Sequence, residues 1–235
     1  MIDLATVDPV SAFEALGVRA FTTTRHTADF RIADDGPDGA QRTTWEALHA
    51  ALGPEVPRLV SARQIHSARV QWHDHATSGW QRLEGLDGHL TATRGTALAV
   101  TVADCIPIFV AHPAGVVGAL HAGWRGVAAG ILAEAVRQLE AHGCAASELW
   151  VHCGPAISGR SYEVGPDVFT ALTGWETTRP RCVDLRALVA EQAKRLGVRH
   201  LSMSPHCTVE DNDRFFSHRR GDSGRQVAVI VAPEA

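Results

Sequence analysis

The chain has 235 residues, with 22 basic and 26 acidic side chains and a formal net charge of −4 with histidine neutral. Hydrophobic residues make up 45% and charged residues 20%, ordinary values for a globular protein, which excludes a disordered chain of low hydrophobicity and high net charge. With no basic excess to neutralise phosphates, a nucleic-acid partner is not expected.

In chain order, Val18 to Thr24 reads as an extended stretch. The polar, turn-rich residues 25 to 42 read as a surface loop. Thr43 to Leu52 is a predicted short helix, capped by Thr43 or Thr44 and stopped by Gly53-Pro54. Leu59 to Trp72, β-branched and alternating, reads as a strand pair or one long strand, and Asp74 to Gly88 as a second polar loop. Three apolar runs follow, Thr96 to Val102, Ile106 to Ala111 and Val116 to Leu120, each a predicted buried strand. Val127 to His142 has apolar residues at helical spacing and ends at Gly143. Leu149 to Cys153 is a strand, and Pro166 to Leu172 a short helix. Asp184 to Leu196 is a helix with Asp184 as N-cap and Gly197 just past its end. His200 to Met203 and Val227 to Val231 are the last strands. With no repeat or linker, residues 1 to 235 are expected to form one α/β or α+β domain.

No apolar run approaches the roughly 20 residues of a membrane span, and Met1-Ile2-Asp3-Leu4, without the basic and long apolar regions of a signal peptide, is not expected to begin one. Cys105, Cys144, Cys153, Cys182 and Cys207 form no CxxC pair. A disulfide framework is not expected, and a cytoplasmic location is. Thirteen histidines are about twice the usual share, so metal or proton chemistry deserves a search.

Two segments stand out. Ala103-Asp104-Cys105 ends one predicted strand, and His121-Ala122-Gly123-Trp124-Arg125-Gly126 links a strand to a helix. Strand ends beside glycine turns are where open α/β sheets place their sites. Cys105, His121 and His66 make a thiolate and two imidazoles, a three-ligand set that leaves zinc an open position. Their spacing alone is not diagnostic, and a buried structural cysteine is the plainer alternative. Arg125 and the glycine turn offer an anion site at a helix start, with a solvated arginine as the alternative. Phe215-Phe216-Ser217-His218-Arg219-Arg220 has the groups to stack a base and hold an anion, or simply to seat a phenylalanine pair beside a basic turn.

ADC-x-P (Ala103 to Pro107), HAGWRG (His121 to Gly126), Q-x-H (Gln64 to His66), GPAI then YEVG (Gly154 to Gly165), and FFSxRR followed by GR together resemble one family, the bacterial laccase-domain (YfiH-like) proteins. These have been called polyphenol oxidases, purine nucleoside phosphorylases and peptidoglycan editing factors. The resemblance runs from about Phe21 to Val231. It implies mixed β-sheets layered with helices in an α-β-β-α sandwich, and zinc held by His66, Cys105 and His121, the catalytic residues. It implies phosphorolysis of adenosine, inosine, guanosine and methylthioadenosine, with adenosine deamination as a second activity. The partners expected are a purine nucleoside and phosphate, for a monomer or homodimer. Arg25, after Thr22-Thr23-Thr24, becomes a candidate phosphate ligand beside Arg125 and Arg220, and Asp87 matches a motif aspartate. Two departures bear on nucleoside preference: His26 to Arg31 reads HTADFR, and Arg160-Ser161 replaces a cysteine pair.

Two other activities are weighed. A Cys–His hydrolase would use Cys105 as nucleophile and His121 or His66 as base, suiting peptidoglycan-precursor editing. A copper-dependent polyphenol oxidase would need several paired histidines, and only His73-Asp74-His75 has that form. Met1 and Met203, the only methionines, do not adjoin the triad. Cu²⁺ would nonetheless compete for the zinc site in vitro. A non-catalytic partner of cell-wall machinery is a third reading, and it predicts tolerance of Cys105 loss.

Overall fold

The computed structural model describes residues 2–32, 38–74 and 77–233; Met1, His75 and residues 33–37 of the first predicted loop lie outside them. The elements are β1 (Asp8–Pro9), β2 (Arg19–Thr22), α1 (Gly39–Ala51), β3 (Arg58–Arg63), β4 (Val70–Trp72), β5 (Gly79–Glu84), β6 (Gly88–Thr91) and β7 (Thr96–Val102). Next come β8 (Ile106–Ala111), β9 (Val117–Ala122), α2 (Trp124–Ala128), α3 (Ile131–Ala141), β10 (Trp150–Cys153) and β11 (Glu163–Val164). The chain closes with α4 (Pro166–Thr173), β12 (Arg181–Cys182), α5 (Leu185–Arg195), β13 (His200–Met203) and β14 (Gln226–Val231).

Two six-stranded mixed sheets form, in the orders β1-β2-β14-β7-β3-β5 and β13-β10-β8-β9-β6-β4. Alternation along the strands explains how they stack. On β7, Leu98 and Val100 face Phe109, Val117 and Ala119 of the other sheet in a core between the two layers. Ala97 and Ala99 face outward, where Trp45 and Leu48 of α1 cover the first sheet. On the far side, Ile131, Leu132, Ala135 and Leu139 of α3 and Val189 of α5 pack on Ile106, Ile108 and Leu120. The layers are therefore α-β-β-α, as the resemblance implied. No described helix is long and apolar enough to cross a membrane.

Local chemistry sets the helix ends. Asp184 caps α5 by accepting from Arg186 N and Ala187 N at 3.0 and 3.1 Å, and Gly197 follows with φ 85°. Three local expectations need correction. The cap of α1 is Asp38, which accepts from Gln41 N at 2.7 Å, so Thr43 and Thr44 lie inside the helix. The predicted helix from Val127 is broken at Gly130, which adopts φ 77° between α2 and α3. The predicted loop of residues 74 to 88 contains β5 and reaches the start of β6. The half-buried β5 at a sheet edge lacks the apolar alternation that would reveal it. Within Leu59 to Trp72 there are indeed two strands, but β3 and β4 belong to different sheets.

That last feature places the site. Strands β3, β5 and β7 are parallel neighbours in the first sheet. Each is followed by a strand of the second sheet, β4, β6 and β8 respectively. Three short links therefore cross between the sheets at the carboxyl ends of three parallel strands, where α/β proteins tend to gather functional groups.

Candidate metal centre

Each crossing link delivers one residue. His66 lies on the β3–β4 link, Asp87 on the β5–β6 link and Cys105 on the β7–β8 link. His121 arrives from β9, opposite Pro107 of β8. The ligand atoms of His66, Cys105 and His121 all lie within 4.8 Å of one another, and the two imidazoles meet edge to face. Zinc bonds of about 2.0–2.3 Å suit such a triad. Among the described residues no other group of three such ligands occurs.

The backbone is strained to achieve this. Among the described residues the only non-glycine positions with positive φ are His66 (59°) and Asp104 (78°), a candidate ligand and the neighbour of one. Strain of this kind persists where surrounding bonds over-determine it. Asp104 accepts from Thr208 Oγ1 at 2.6 Å and from Arg219 N at 2.7 Å. At His66 the restraint is Asp87, which is fully buried. Its Oδ1 accepts from His66 N (3.0 Å) and His121 Nδ1 (2.9 Å). Its Oδ2 accepts from Ser67 N and Ser67 Oγ, both at 2.7 Å, and from Ile65 N at 3.3 Å. Gln64 adds a brace by exchanging bonds of 2.8–2.9 Å with the backbone and hydroxyl of Thr101 on β7.

Asp87 also sets the electrostatics. Burial raises its carboxyl, but the bonds from His121 and Ser67 prevail and hold it at about 2. A carboxylate on Nδ1 fixes the His121 tautomer and leaves Nε2 for a metal, the usual support of a metal-bound imidazole. Burial raises the Cys105 thiol, yet His121 and then His66 bring it below its ordinary value. Burial lowers His121, while Cys105 and Asp87 raise it by more. Thiolate and imidazolium thus favour each other until a cation replaces the proton. The donor set, its clustering and its buried carboxylate fit a metal ion.

The glycines of the HAGWRG turn serve packing. A Cβ on Gly123 would stand 2.9 Å from Cys105 Sγ and 3.2 Å from His66 Cδ2. One on Gly126 would meet the Ser67 carbonyl at 3.2 Å. The helix they open, α2, is only five residues long, too short to give the anion site the turn suggested.

Two cavities meet at the triad. One of about 480 Å³ lies on the α1 side, over the ends of β3, β5 and β7, and includes Trp45, Gln64 and Thr101 in its wall. One of about 290 Å³ lies on the α5 side, between Trp124, Ile157, Tyr162 and Leu185. His66, Ala103, Cys105 and His218 line both.

Of the three expected phosphate arginines, Arg125 lines the smaller cavity, with its guanidinium over the Trp124 ring at 4.3 Å. Arg25 pairs with Asp222 at 2.9 Å and lies over Phe216. The Arg220 Nε donates to the Val209 carbonyl at 3.1 Å. Neither of these two is in the wall of either cavity. Their neighbour Arg219 is. It lies over Tyr162 and donates to the Ser161 and Glu163 carbonyls. Four arginines outside the predicted set, Arg31, Arg63, Arg82 and Arg225, line the larger cavity. Nothing in their spacing joins them; only the fold does.

Comparisons with known proteins agree with this architecture. A family model described as "Multi-copper polyphenol oxidoreductase laccase" matches residues 26–233. A purine nucleoside phosphorylase of Corynebacterium glutamicum is 36% identical over 217 residues, covering 88% of each chain. One of Streptomyces coelicolor is 37% identical over 210 residues, covering 85% of this chain and 84% of the other. Among solved structures, YlmD from Geobacillus stearothermophilus superposes with TM-score 0.83 at 30% identity, covering 96% of this chain and 94% of that one. A hypothetical protein YfiH of Bacillus licheniformis gives 0.85 at 22% identity over 97% of both chains, a likeness of fold. The chain belongs to the laccase-like YfiH family, whose curated members similar to it are named purine nucleoside phosphorylase.

Proposed function

We propose that the chain is a zinc-dependent purine nucleoside phosphorylase, acting in the cytoplasm on adenosine, inosine, guanosine and methylthioadenosine, with adenosine deamination as a second activity. One domain would suffice for the whole reaction. The observation that carries this reading is the position of the His66–Cys105–His121 triad where two cavities meet: His66 and Cys105 line both, and His121 lines the larger. A phosphorolytic site must hold two substrates on either side of one reacting bond.

His66, Cys105 and the Nε2 of His121 would hold the ion, which when bound supplies Lewis acidity at the meeting point of the cavities. The smaller cavity suits the purine. Trp124 and Tyr162 give it aromatic walls, and Arg125 and Arg219 stack on those rings. Stacking fixes each ring, Arg219 is further held by the Ser161 and Glu163 carbonyls, and the Arg125 guanidinium edge would donate to base oxygens and nitrogens. His218, in the wall of both cavities, is placed to exchange a proton with the departing base.

A second reading has its own support. The lowered Cys105 thiol beside two imidazoles is also the arrangement of a cysteine nucleophile, as a hydrolase of peptidoglycan precursors would need. Metal content separates the two, because a metal-bound thiolate is quenched as a nucleophile. Polyphenol oxidation by several coppers has less support, since the described ligands form a single group of three. Chromatography of the products from inosine tests the main reading. Hypoxanthine and ribose 1-phosphate are expected, and only with phosphate. Free ribose released equally fast without phosphate would make the enzyme a hydrolase.

A further inference from the structure

The walls of the two cavities differ in charge. The larger is lined by Arg31, Arg63, Arg82 and Arg225, and among its described lining residues there is no aspartate or glutamate. Arg63 is engaged by Glu84 at 2.6 Å, and Arg82 also has a partner. The other two are differently placed. Arg31 uses its backbone N–H, which donates to Asp29 Oδ1 at 2.9 Å. Its guanidinium has no partner among the described residues and belongs to an exposed residue at the cavity wall. Arg225 is braced: its Nη1 donates to the Asp222, Ser223 and Gly224 carbonyls at 3.4, 3.1 and 2.7 Å.

One carboxylate ties these two together. Asp29 Oδ1 accepts from the backbone N–H of Arg225 as well, at 2.9 Å. Phe30 N donates to the Arg225 carbonyl, also at 2.9 Å. The backbones of Arg31 and Arg225, 194 positions apart in the numbering, are thus held to a single aspartate, and both residues line the larger cavity. That aspartate lies in the HTADFR stretch, two residues before Arg31.

We infer that the larger cavity is the phosphoryl chamber: it binds inorganic phosphate before bond cleavage and a pentose 1-phosphate after it, with Arg31 and Arg225 as ligands and Asp29 as their positioning residue. A wall of guanidinium groups with no carboxylate among its described residues favours a dianion. The volume, about 480 Å³, lies in the usual range of small-molecule pockets and holds a sugar with its phosphoryl group. The reaction part of the inference rests on the phosphorylase reading. A phosphate oxygen of HPO₄²⁻ bonds to C1′ and the C1′–N9 bond breaks. The electron pair stays on the purine, which takes up the proton the phosphate brought, so no oxidant or further reactant is needed.

The test is calorimetric titration of inorganic phosphate into the full-length, zinc-loaded protein. Arg31→Ala removes an exposed side chain without a partner among the described residues, so the fold should survive, and the phosphate Kd should rise about tenfold. Asp29→Ala should raise it too, and Asp29→Asn, which keeps an oxygen for both N–H groups, should restore it. Asp29→Ala should also raise KM for phosphate while leaving KM for inosine unchanged, a split that general loosening would not produce. Arg125→Ala should leave the phosphate Kd within twofold. Phosphate affinity unaffected by Arg31→Ala, lost in Arg125→Ala, or undetectable in the wild type overturns the assignment. If phosphate binds as predicted but inosine is cleaved equally well without it, the chamber stands and the phosphorylase reading falls.

Discussion

Replacing Asp87 by asparagine is the sharpest perturbation of the site. The shape is kept, but one carboxylate oxygen becomes an NH₂ group. Each oxygen now accepts at least two bonds: Oδ1 from His66 N and His121 Nδ1, Oδ2 from Ser67 N, Ser67 Oγ and Ile65 N. Whichever way the amide turns, a donor faces donors in a fully buried place. Facing His121, the NH₂ forces Nδ1 to accept and moves the ring proton to Nε2, the atom left for the metal. The His66 N–H loses its acceptor as well. Facing Ser67, it orphans that residue's backbone N–H. Bonds to a charged group contribute about 1.5–3 kcal/mol each, and at least one must be lost. With relaxation and partial replacement we expect the metal-free protein to lose about 2–4 kcal/mol of stability. Zinc affinity should fall about 10- to 100-fold, as for other outer partners of metal-bound imidazoles. Urea unfolding of the metal-free protein and zinc competition against a chromophoric chelator measure the two effects. Wild-type zinc affinity in Asp87→Asn would refute the positioning role, whatever happened to stability.

Gly123→Ala should abolish metal binding while circular dichroism stays native, because the new methyl would stand 2.9 Å from Cys105 Sγ; full zinc occupancy in that variant would refute the clearance argument. Tyr162→Ala should raise KM for inosine far more than KM for phosphate, since the ring lines only the smaller cavity, and an equal rise in both would count against separate chambers. Acid should destabilise the fold through three buried histidines. Burial lowers His73 to about 4, His152 to about 4 and, with His73 adding to the effect, His89 to about 3. Between those values and about 6.5 the unfolded chain binds more protons, so stability is lost as pH falls through that window, by up to about 1.4 kcal/mol per pH unit for each group. Urea midpoints from pH 6.5 to 4.5 should show this, with a shallower slope in His152→Asn; a flat profile would mean that these imidazoles are not buried neutral.

Much of the site was legible because its chemistry is carried by short contiguous runs. Ala103-Asp104-Cys105 and His121 to Gly126 each place a candidate ligand at a strand end, and short apolar runs located β7, β8 and β9 to within about two residues. What stayed hidden was of two kinds. Local competition misled where two plausible caps lay close together, as with Asp38 against Thr43 and Thr44, or where one glycine turned left-handed inside a helical pattern, as Gly130 does. Long-range assembly left no local trace at all. The Asp29 carboxylate joins Arg31 to Arg225, and the crossing of three parallel strands into a second sheet brings Asp87 to His66 and His121. Arg25 and Arg220 were attractive as charges in motifs, yet each already has an internal partner in Asp222 or the Val209 carbonyl.

In the proposed function one zinc, held by His66, Cys105 and His121, sustains phosphate-dependent cleavage of purine nucleosides. The most direct measurement is stepwise zinc reconstitution of chelator-treated protein, with bound metal and inosine phosphorolysis read from the same samples. Activity should rise linearly and level off at one zinc per chain, and the Cys105→Ala, His121→Ala double variant should bind none and stay inactive. Full phosphorolysis before any zinc is added, or full zinc occupancy in the double variant, would contradict the account.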